Sequence, residues 1–178
     1  MARFQIFFYQ LKGPIQLTRS NVIATKNVLP RGWNISFNIV PFSNVKWMGN
    51  ILHATVGGDV GRFGDRVPGV WFIGGTTILN ICSAINESAN ACYARFNHLP
   101  TNKRSTSVIQ QIQSATNHLY YFEIYINGVI VYRVMNELPK VFNNVTYYAS
   151  DPWYAPANAF LSGFKLVTYK HTPGKNTI

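Results

Sequence analysis

The sequence predicts an all-β protein, an antiparallel two-sheet sandwich of the jelly-roll type. Runs rich in Val, Ile, Phe, Tyr and Thr recur along the 178 residues, and these side chains favour strands. Gly, Pro and Asn, which form turns, separate the runs. No run shows the apolar period of about 3.6 residues that marks an amphipathic helix. Roughly ten to thirteen short strands in this order are typical of a sandwich.

The predicted strands run from the N-terminal region to Tyr169. The first surrounds Phe4–Tyr9 and ends before Gly13-Pro14, a strand-breaking pair. Residues 33–39 alternate cleanly between apolar and polar side chains, so one face of that strand is buried and the other is solvated. The remaining candidates cover 22–24, 51–56, 70–73, 78–83, 92–96, 107–113, 119–126, 129–134, 143–149 and 160–169. The spacing of Gln and Ile in 107–113 also suits a short helix.

The most specific local signal is Asn127-Gly128, which lies between two long apolar runs. A type I′ turn needs positive φ at both central residues, and Asn and Gly adopt it readily. A hairpin is therefore predicted there, and we expect Glu123 and Arg133 to pair across it.

A single domain is expected from the length, with residues 1–170 forming the sandwich and 171–178 a flexible polar tail. Apolar residues make up 47% of the chain and charged residues 12%, which excludes a disordered protein. No apolar stretch reaches the length of about 18 residues that spans a bilayer, so no membrane insertion is expected. Polar residues interrupt the apolar N-terminal run, so no secretion signal is visible in this chain.

The formal charge of +10 is compatible with nucleic acid, an anionic membrane surface or a sulfated glycan as partner. The 16 basic residues are scattered, with small groups at Lys103-Arg104 and at Lys165 and Lys170. Because no basic arm is visible, we do not expect a dedicated nucleic-acid binder.

Two cysteines, Cys82 and Cys92, lie on two predicted strands that a polar turn joins. They form either a cross-strand disulfide in an oxidising compartment or two small buried thiols. Two cysteines without further ligands do not make a structural zinc site. Asn-x-Ser/Thr triplets at Asn34, Asn86 and Asn144 permit glycosylation if the chain is secreted.

The loop that follows the predicted strand at 51–56 concentrates glycine and charge. It holds five glycines, two of the six acidic residues (Asp59 and Asp65) and two arginines, Arg62 and Arg66. Glycine lets a ligand approach the backbone, and arginine can donate in a fork to neighbouring hydroxyls. Arg62, Asp65 and Arg66 are therefore candidate binding residues. The alternative is a hairpin loop whose Asp and Arg cap backbone groups and pair with each other.

A second polar and aromatic loop covers 151–158, and two prolines stiffen it. Trp153 or Tyr154 can stack on the apolar face of a sugar ring, and Asn158 completes the candidate binding set. The alternative for Trp153 is a buried plug in the core beneath the loop.

Calcium is a further candidate ligand of these two loops. It takes about six to eight oxygens, and Asp59, Asp65 and Asp151 are the expected metal ligands. The scarcity of carboxylates and the nearby arginines oppose a dication. The four histidines lack metal-ligand spacing, and we expect His53 to be buried with its hydrogen bonds satisfied.

Three segments carry a wider likeness: the loop Gly64–Pro68, the hairpin turn Ile126–Gly128 and the segment Asp151–Tyr154. Over 34–169 the chain resembles the concanavalin A-like, laminin-G-like sandwich modules of invertebrate extracellular proteins. It is most similar to the galactose-binding lectins with that architecture from marine invertebrates. The resemblance implies a secreted lectin that recognises terminal galactosides, with calcium as cofactor. Cross-linking cells needs at least two sites, which implies a homodimer or a higher homo-oligomer.

Catalysis is not expected. Hydrolysis of a glycoside needs two carboxylates about 5–10 Å apart, and the candidates Asp59, Asp65 and Asp151 come with arginines nearby. The closely spaced carboxylates of sandwich glycosidases and the Gly-x-Ser-x-Gly elbow of hydrolases are both missing. The galectin signature is missing too, because Ala54-Thr55-Val56 follows His53.

Two competing functions stay open. The chain can be an adhesion module that binds protein or sulfated glycan through a basic surface, or a sandwich hydrolase that uses Asp65. Galactose-reversible agglutination that EDTA abolishes would support the lectin. Heparin binding that salt abolishes, without inhibition by galactose, would support the adhesion module.

Overall fold

The computed structural model describes residues 5–11, 13–43, 46–94 and 97–170, so the expected tail at 171–178 lies outside the described residues. The described part forms strands and no helix, which confirms the predicted class. Accordingly, it contains no helix long and apolar enough to cross a membrane. The strands are β1 (Gln5–Gln10), β2 (Ile15–Gln16), β3 (Val22–Leu29), β4 (Gly32–Pro41), β5 (Gly49–Thr55), β6 (Gly69–Phe72), β7 (Leu79–Ile85), β8 (Ser88–Ala94), β9 (Ser105–Gln113), β10 (Tyr120–Ile126), β11 (Val129–Asn136), β12 (Phe142–Tyr148), β13 (Ala155–Pro156) and β14 (Ala159–Lys170).

These strands form two seven-stranded sheets that pack as a sandwich. Sheet A has the order β1-β14-β4-β9-β10-β11, with β2 paired to β14. Sheet B has the order β3-β12-β5-β6-β7-β8, with β13 paired to β5. The described pairs are antiparallel except for the short contact between β13 and β5. The prediction of an antiparallel two-sheet sandwich is confirmed.

Apolar side chains alternate into the space between the sheets. On β4, Trp33, Ile35, Phe37 and Ile39 are at most 2% exposed, whereas the residues between them are half-buried. Successive side chains of a strand point to opposite faces, so this alternation places one face in the core. Each such side chain contributes about 1.5–3 kcal/mol through burial.

The hairpin between β10 and β11 has the predicted turn. Asn127 and Gly128 have φ values of 50° and 79°, the positive values that a type I′ turn requires. Glu123 pairs with Arg133 at 3.2 Å, as expected. Its carboxylate is buried although the guanidinium is half exposed, because two further side chains donate hydrogen bonds to it.

Residues 107–113, where the sequence allowed a strand or a helix, belong to β9. This strand lies inside sheet A and pairs with β4 on one side and β10 on the other. Hydrogen bonds to two neighbouring strands outweigh the weak helical spacing of a seven-residue run.

Sheet B turns an aromatic and a polar side chain away from the core. On β6, Val70 and Phe72 belong to the hydrophobic core cluster, so Trp71 between them points to the outer face. His53 on β5 packs against Trp71, with 5.4 Å between the ring centroids. Both side chains are fully buried. Loops must therefore cover this part of the outer face.

Cys82 and Cys92 form a disulfide. The two residues are direct partners in the ladder between β7 and β8. Of the two interpretations that the sequence left open, the cross-strand disulfide is the correct one.

Candidate functional site

The two loops predicted to bind a ligand meet on the outer face of sheet B. The first loop, residues 56–68, connects β5 to β6. The second loop, predicted over 151–158, follows β12 and contains the short strand β13. A pocket of about 510 Å³ opens within the first loop, and its lining includes Asp59, Arg62 and Asp65. Three residues that the sequence singled out therefore line one pocket, and their binding role stays a prediction.

His53 joins the two loops from below. Its Nε2 lies 2.7 Å from the backbone carbonyl oxygen of Asp65, and its Nδ1 lies 2.7 Å from Oδ2 of Asp151. A carbonyl oxygen only accepts, so Nε2 carries a hydrogen and donates it. One further proton shared between Nδ1 and the carboxylate completes the second hydrogen bond. His53 is fully buried with both ring nitrogens bonded, which confirms the expectation for it.

Asp151 shapes the second loop. Its Oδ1 accepts hydrogen bonds from the backbone amides of Trp153 at 3.0 Å and Tyr154 at 2.8 Å. Its own amide donates to Oδ1 of Asn50 at 2.8 Å. The side chain is fully buried, so both carboxylate oxygens serve the framework of the loop.

Asp65 plays the matching part in the first loop. It is 3% exposed, and its Oδ2 accepts a hydrogen bond from the amide of Arg62 at 2.8 Å. A side chain at Gly58 would collide with this carboxylate, which explains the glycine at that position. Asp65 therefore holds the loop closed from inside, although it also contributes to the pocket lining.

Arg66 ties the first loop to its surroundings and is only 5% exposed. It donates to the carbonyl oxygen of Asp59 at 3.0 Å, to the Asp59 carboxylate at 3.2 Å and to Oδ1 of Asn90 at 2.7 Å. It also donates to the hydroxyl of Tyr154 at 3.2 Å. Its guanidinium lies 4.4 Å from the ring centroid of Trp71. The predicted Asp–Arg pairing within the loop is therefore present.

Trp153 stays at the surface, 40% exposed. The interpretation of this residue as a core plug is wrong, because the turn at Asp151 lifts its ring onto the outer face. There it rests against His53, with 5.3 Å between ring centroids, and against Tyr148 at 6.3 Å. On the first loop, Arg62 is also exposed, and its side chain makes no hydrogen bond or ion pair with the described residues.

Asn158 lies apart from this arrangement. Its side-chain amide donates to Oγ of Ser43 at 2.7 Å, just beyond the end of β4. Among the described residues, no hydrogen bond joins Asn158 to the first loop or to the turn at Asp151. The structure therefore brings together the other predicted binding residues without Asn158.

One group of potential metal ligands occurs among the described residues. It comprises His53, Asp59 and Asp151, with one ligand atom from each lying within 4.8 Å of the others. Asp65 is not part of it. Calcium prefers oxygen ligands, whereas this set includes an imidazole, the Asp151 oxygens are hydrogen-bonded and Arg66 pairs with Asp59. This set of ligands therefore fits calcium poorly. The role of calcium remains a prediction from the sequence resemblance.

Sequence reasoning missed the roles of His53, Trp71 and Asn90 at this site. His53 acts through partners that lie 12 and 98 residues away in sequence. No local pattern reports such pairings, although the burial of His53 was foreseen.

No protein-family model matches the chain, and no curated protein matches it. Solved structures do match. A heptameric SAP-like pentraxin from Limulus polyphemus aligns at a TM-score of 0.57 and 11% identity, over 86% of this chain and 75% of that one. The CBM40 of the Ruminococcus gnavus IT-sialidase, solved with α2,3-sialyllactose bound, aligns at a TM-score of 0.57 and 13% identity, over 92% and 93% of the two chains.

A third match is a pair of laminin domains. Domains LG4-5 of the mouse laminin α1 chain align at a TM-score of 0.53 and 12% identity, over 90% of this chain and 44% of that one. The protein shares the fold of concanavalin A-like, laminin-G-like β-sandwich modules. Some chains with this fold belong to enzymes, and identities this low establish the fold alone.

Proposed function

We propose that the protein is a non-catalytic lectin that binds terminal galactosides on the outer face of sheet B. The observation that carries this proposal is Trp153, held exposed beside a loop that contains a pocket of about 510 Å³. A sugar needs an aromatic surface for the apolar face of its ring and a few fixed polar groups for its hydroxyls. Both loops are cross-linked by buried hydrogen bonds, so little conformational entropy is lost on binding.

The candidate residues divide into two roles. Trp153, Arg62 and the partly exposed Asp59 contact the sugar, because each presents a group to solvent. Asp65 and Arg66, with Asp151 and Tyr154, position the loops from inside. Galactose as the sugar rests on the sequence resemblance, and a carbohydrate ligand is supported by the structurally similar CBM40 bound to sialyllactose.

Secretion and assembly follow from the same proposal. A disulfide persists in oxidising compartments, which supports an extracellular location. A lectin that cross-links glycans needs two or more sites, so we propose a homodimer or a higher homo-oligomer.

A glycan array, probed with and without calcium and with EDTA, tests the proposal. We expect galactose-terminated glycans to be retained, and Trp153→Ala to weaken their binding by about ten- to a hundredfold because the stacking surface is lost. Trp47→Ala is the matched control, since Trp47 is 71% exposed and, among the described residues, its ring contacts Lys46 and no aromatic ring of the two loops. Equal affinity in wild type and Trp153→Ala would remove Trp153 from the site.

An adhesion module is the second candidate, and the charge of +10 favours it. On this proposal, exposed basic side chains bind protein or a sulfated glycan, and galactose does not compete. Binding to heparin that collapses between about 50 and 200 mM salt would distinguish it from the lectin.

A further inference from the structure

A second cleft lies at one end of sheet A, where β4 begins and β9 ends. It consists of two pockets of about 640 Å³ and 350 Å³ that share Arg31, Gln113 and Tyr120. Neither pocket includes any residue of the first loop. The cleft is therefore separate from the site described above. No short sequence motif predicted it.

Buried amides build the framework of this cleft. Gln111, 3% exposed, donates to the carbonyl oxygen of Arg31 at 2.7 Å and accepts from Nδ2 of Asn136 at 2.5 Å. Oδ1 of Asn136 accepts from the amide of Asn86 at 3.0 Å, and Oδ1 of Asn86 accepts from the amide of Glu137 at 2.6 Å. Four chain segments are thus held together, and a network whose members are satisfied is rigid.

The lining of the cleft combines aromatic and apolar surface. Tyr120 and Tyr169 are among its lining residues, and Leu119, Leu138 and Val141 line it while remaining 45% to 49% exposed. A pocket with apolar walls and a few convergent polar groups is the usual form of a small-ligand site.

The cleft also contains the guanidinium of Arg31, which takes no part in the amide network. Arg31 is exposed, and among the described residues no carboxylate pairs with its guanidinium. Only its carbonyl oxygen takes part in the amide network. Burial raises the pKa of Tyr120, and the charge of Arg31 opposes that shift. Glu137 is the acidic group of the lining.

We propose that this cleft binds an acidic sugar unit, one that bears a carboxylate or a sulfate. The guanidinium of Arg31 holds the anion in a forked, charge-assisted pair. The ring of Tyr120 covers the apolar face of the sugar, and Gln113 and Glu137 bond its hydroxyls. This site is independent of the galactoside site, so one chain can contact two units of a glycan.

Three oligosaccharides distinguish the possible ligands: an oligogalacturonate, a sulfated galactan fragment and a neutral galactan fragment of equal length. Binding is measured by calorimetry at low salt with wild type, Arg31→Gln and Arg104→Gln. Arg104→Gln is the matched control, because it removes the same charge at the other end of β9. Arg104 lies nine residues before Gln113 of the cleft, a distance of roughly 30 Å along an extended strand. Arg31→Gln leaves the carbonyl of the amide network in place, and equal thermal unfolding midpoints verify that it folds.

We expect the wild type to bind at least one acidic probe more tightly than the neutral one, and Arg31→Gln to weaken that binding by at least about tenfold. Arg104→Gln should leave it unchanged. The probe that loses affinity identifies carboxylate or sulfate as the anion. Equal losses in both arginine variants, or no preference of the wild type for an acidic probe, would overturn the proposal.

Trp153→Ala separates this proposal from the galactoside site. It should weaken the neutral probe and preserve the Arg31-dependent part of acidic binding. If Trp153→Ala abolishes both, the acidic sugar binds at the loops and the Arg31 cleft is not a site.

Discussion

The two candidate-site loops and the Arg31 cleft use charge in opposite ways. At the two loops and the strand beneath them, acidic and basic side chains bond one another: Arg66 pairs with Asp59, and His53 pairs with Asp151. At the Arg31 cleft, neutral amides form the framework and the guanidinium stays outside it. Most charged groups of the two loops therefore already serve the framework, whereas the guanidinium of Arg31 does not.

The largest expected effect contrasts the acidic residues of the two regions. Asp151→Ala should lower the free energy of unfolding by about 3–5 kcal/mol, because His53 and two backbone amides lose a buried acceptor. Glu137→Ala, at an exposed carboxylate, should stay within about 0.5 kcal/mol of wild type. Urea denaturation measures both, and equal small losses would refute the structural role of Asp151.

Replacing Arg66 should likewise destabilise the protein more than replacing Arg31. Arg66→Ala removes four hydrogen bonds and the contact with Trp71, so we expect a loss of about 2–3 kcal/mol in unfolding free energy. Arg31→Ala should change stability by less than about 0.5 kcal/mol. Chemical denaturation of the two variants side by side checks this, and an unstable Arg31→Ala would mean that its side chain belongs to the framework.

Removing the disulfide should affect the two regions unequally. The double variant Cys82→Ala/Cys92→Ala should lose about 2–3 kcal/mol, the value expected for a loop of this length. β8 also carries Asn90, which holds Arg66, so amides of 56–68 should exchange hydrogen faster than those of 136–139. Uniform acceleration across both segments would contradict a local role for the disulfide.

The smallest effect is electrostatic and concerns Tyr120. Its pKa is raised by burial, and Arg31 partly offsets the rise. Arg31→Gln should therefore raise the pKa of Tyr120 further, whereas Arg104→Gln should not. Because the folded state holds this proton more tightly than the unfolded state, the associated stability is present below about pH 10 and is lost as pH rises further. An NMR titration of the ring carbons measures the shift, and no change in Arg31→Gln would place the guanidinium elsewhere.

Much of the fold was predictable because its signals are local. The alternation on β4, the Asn127-Gly128 turn and the Glu123–Arg133 pair all depend on neighbours in one strand or one hairpin. The pairing of Asp and Arg within the first loop was also predictable, because Asp59 and Arg66 lie seven residues apart in one loop. The exposure of Trp153 was not, because it depends on a turn that a buried aspartate builds.

The sequence alone determined the class of the protein, the succession of its strands and the placement of glycine, arginine and aspartate in one loop. These properties follow from side-chain alternation and from residues that adopt positive φ. Only the tertiary structure decided which charged groups bond each other and which remain available. The bond from His53 to Asp151 joins residues 98 positions apart, and only the pairing of β5 with β12 brings them together.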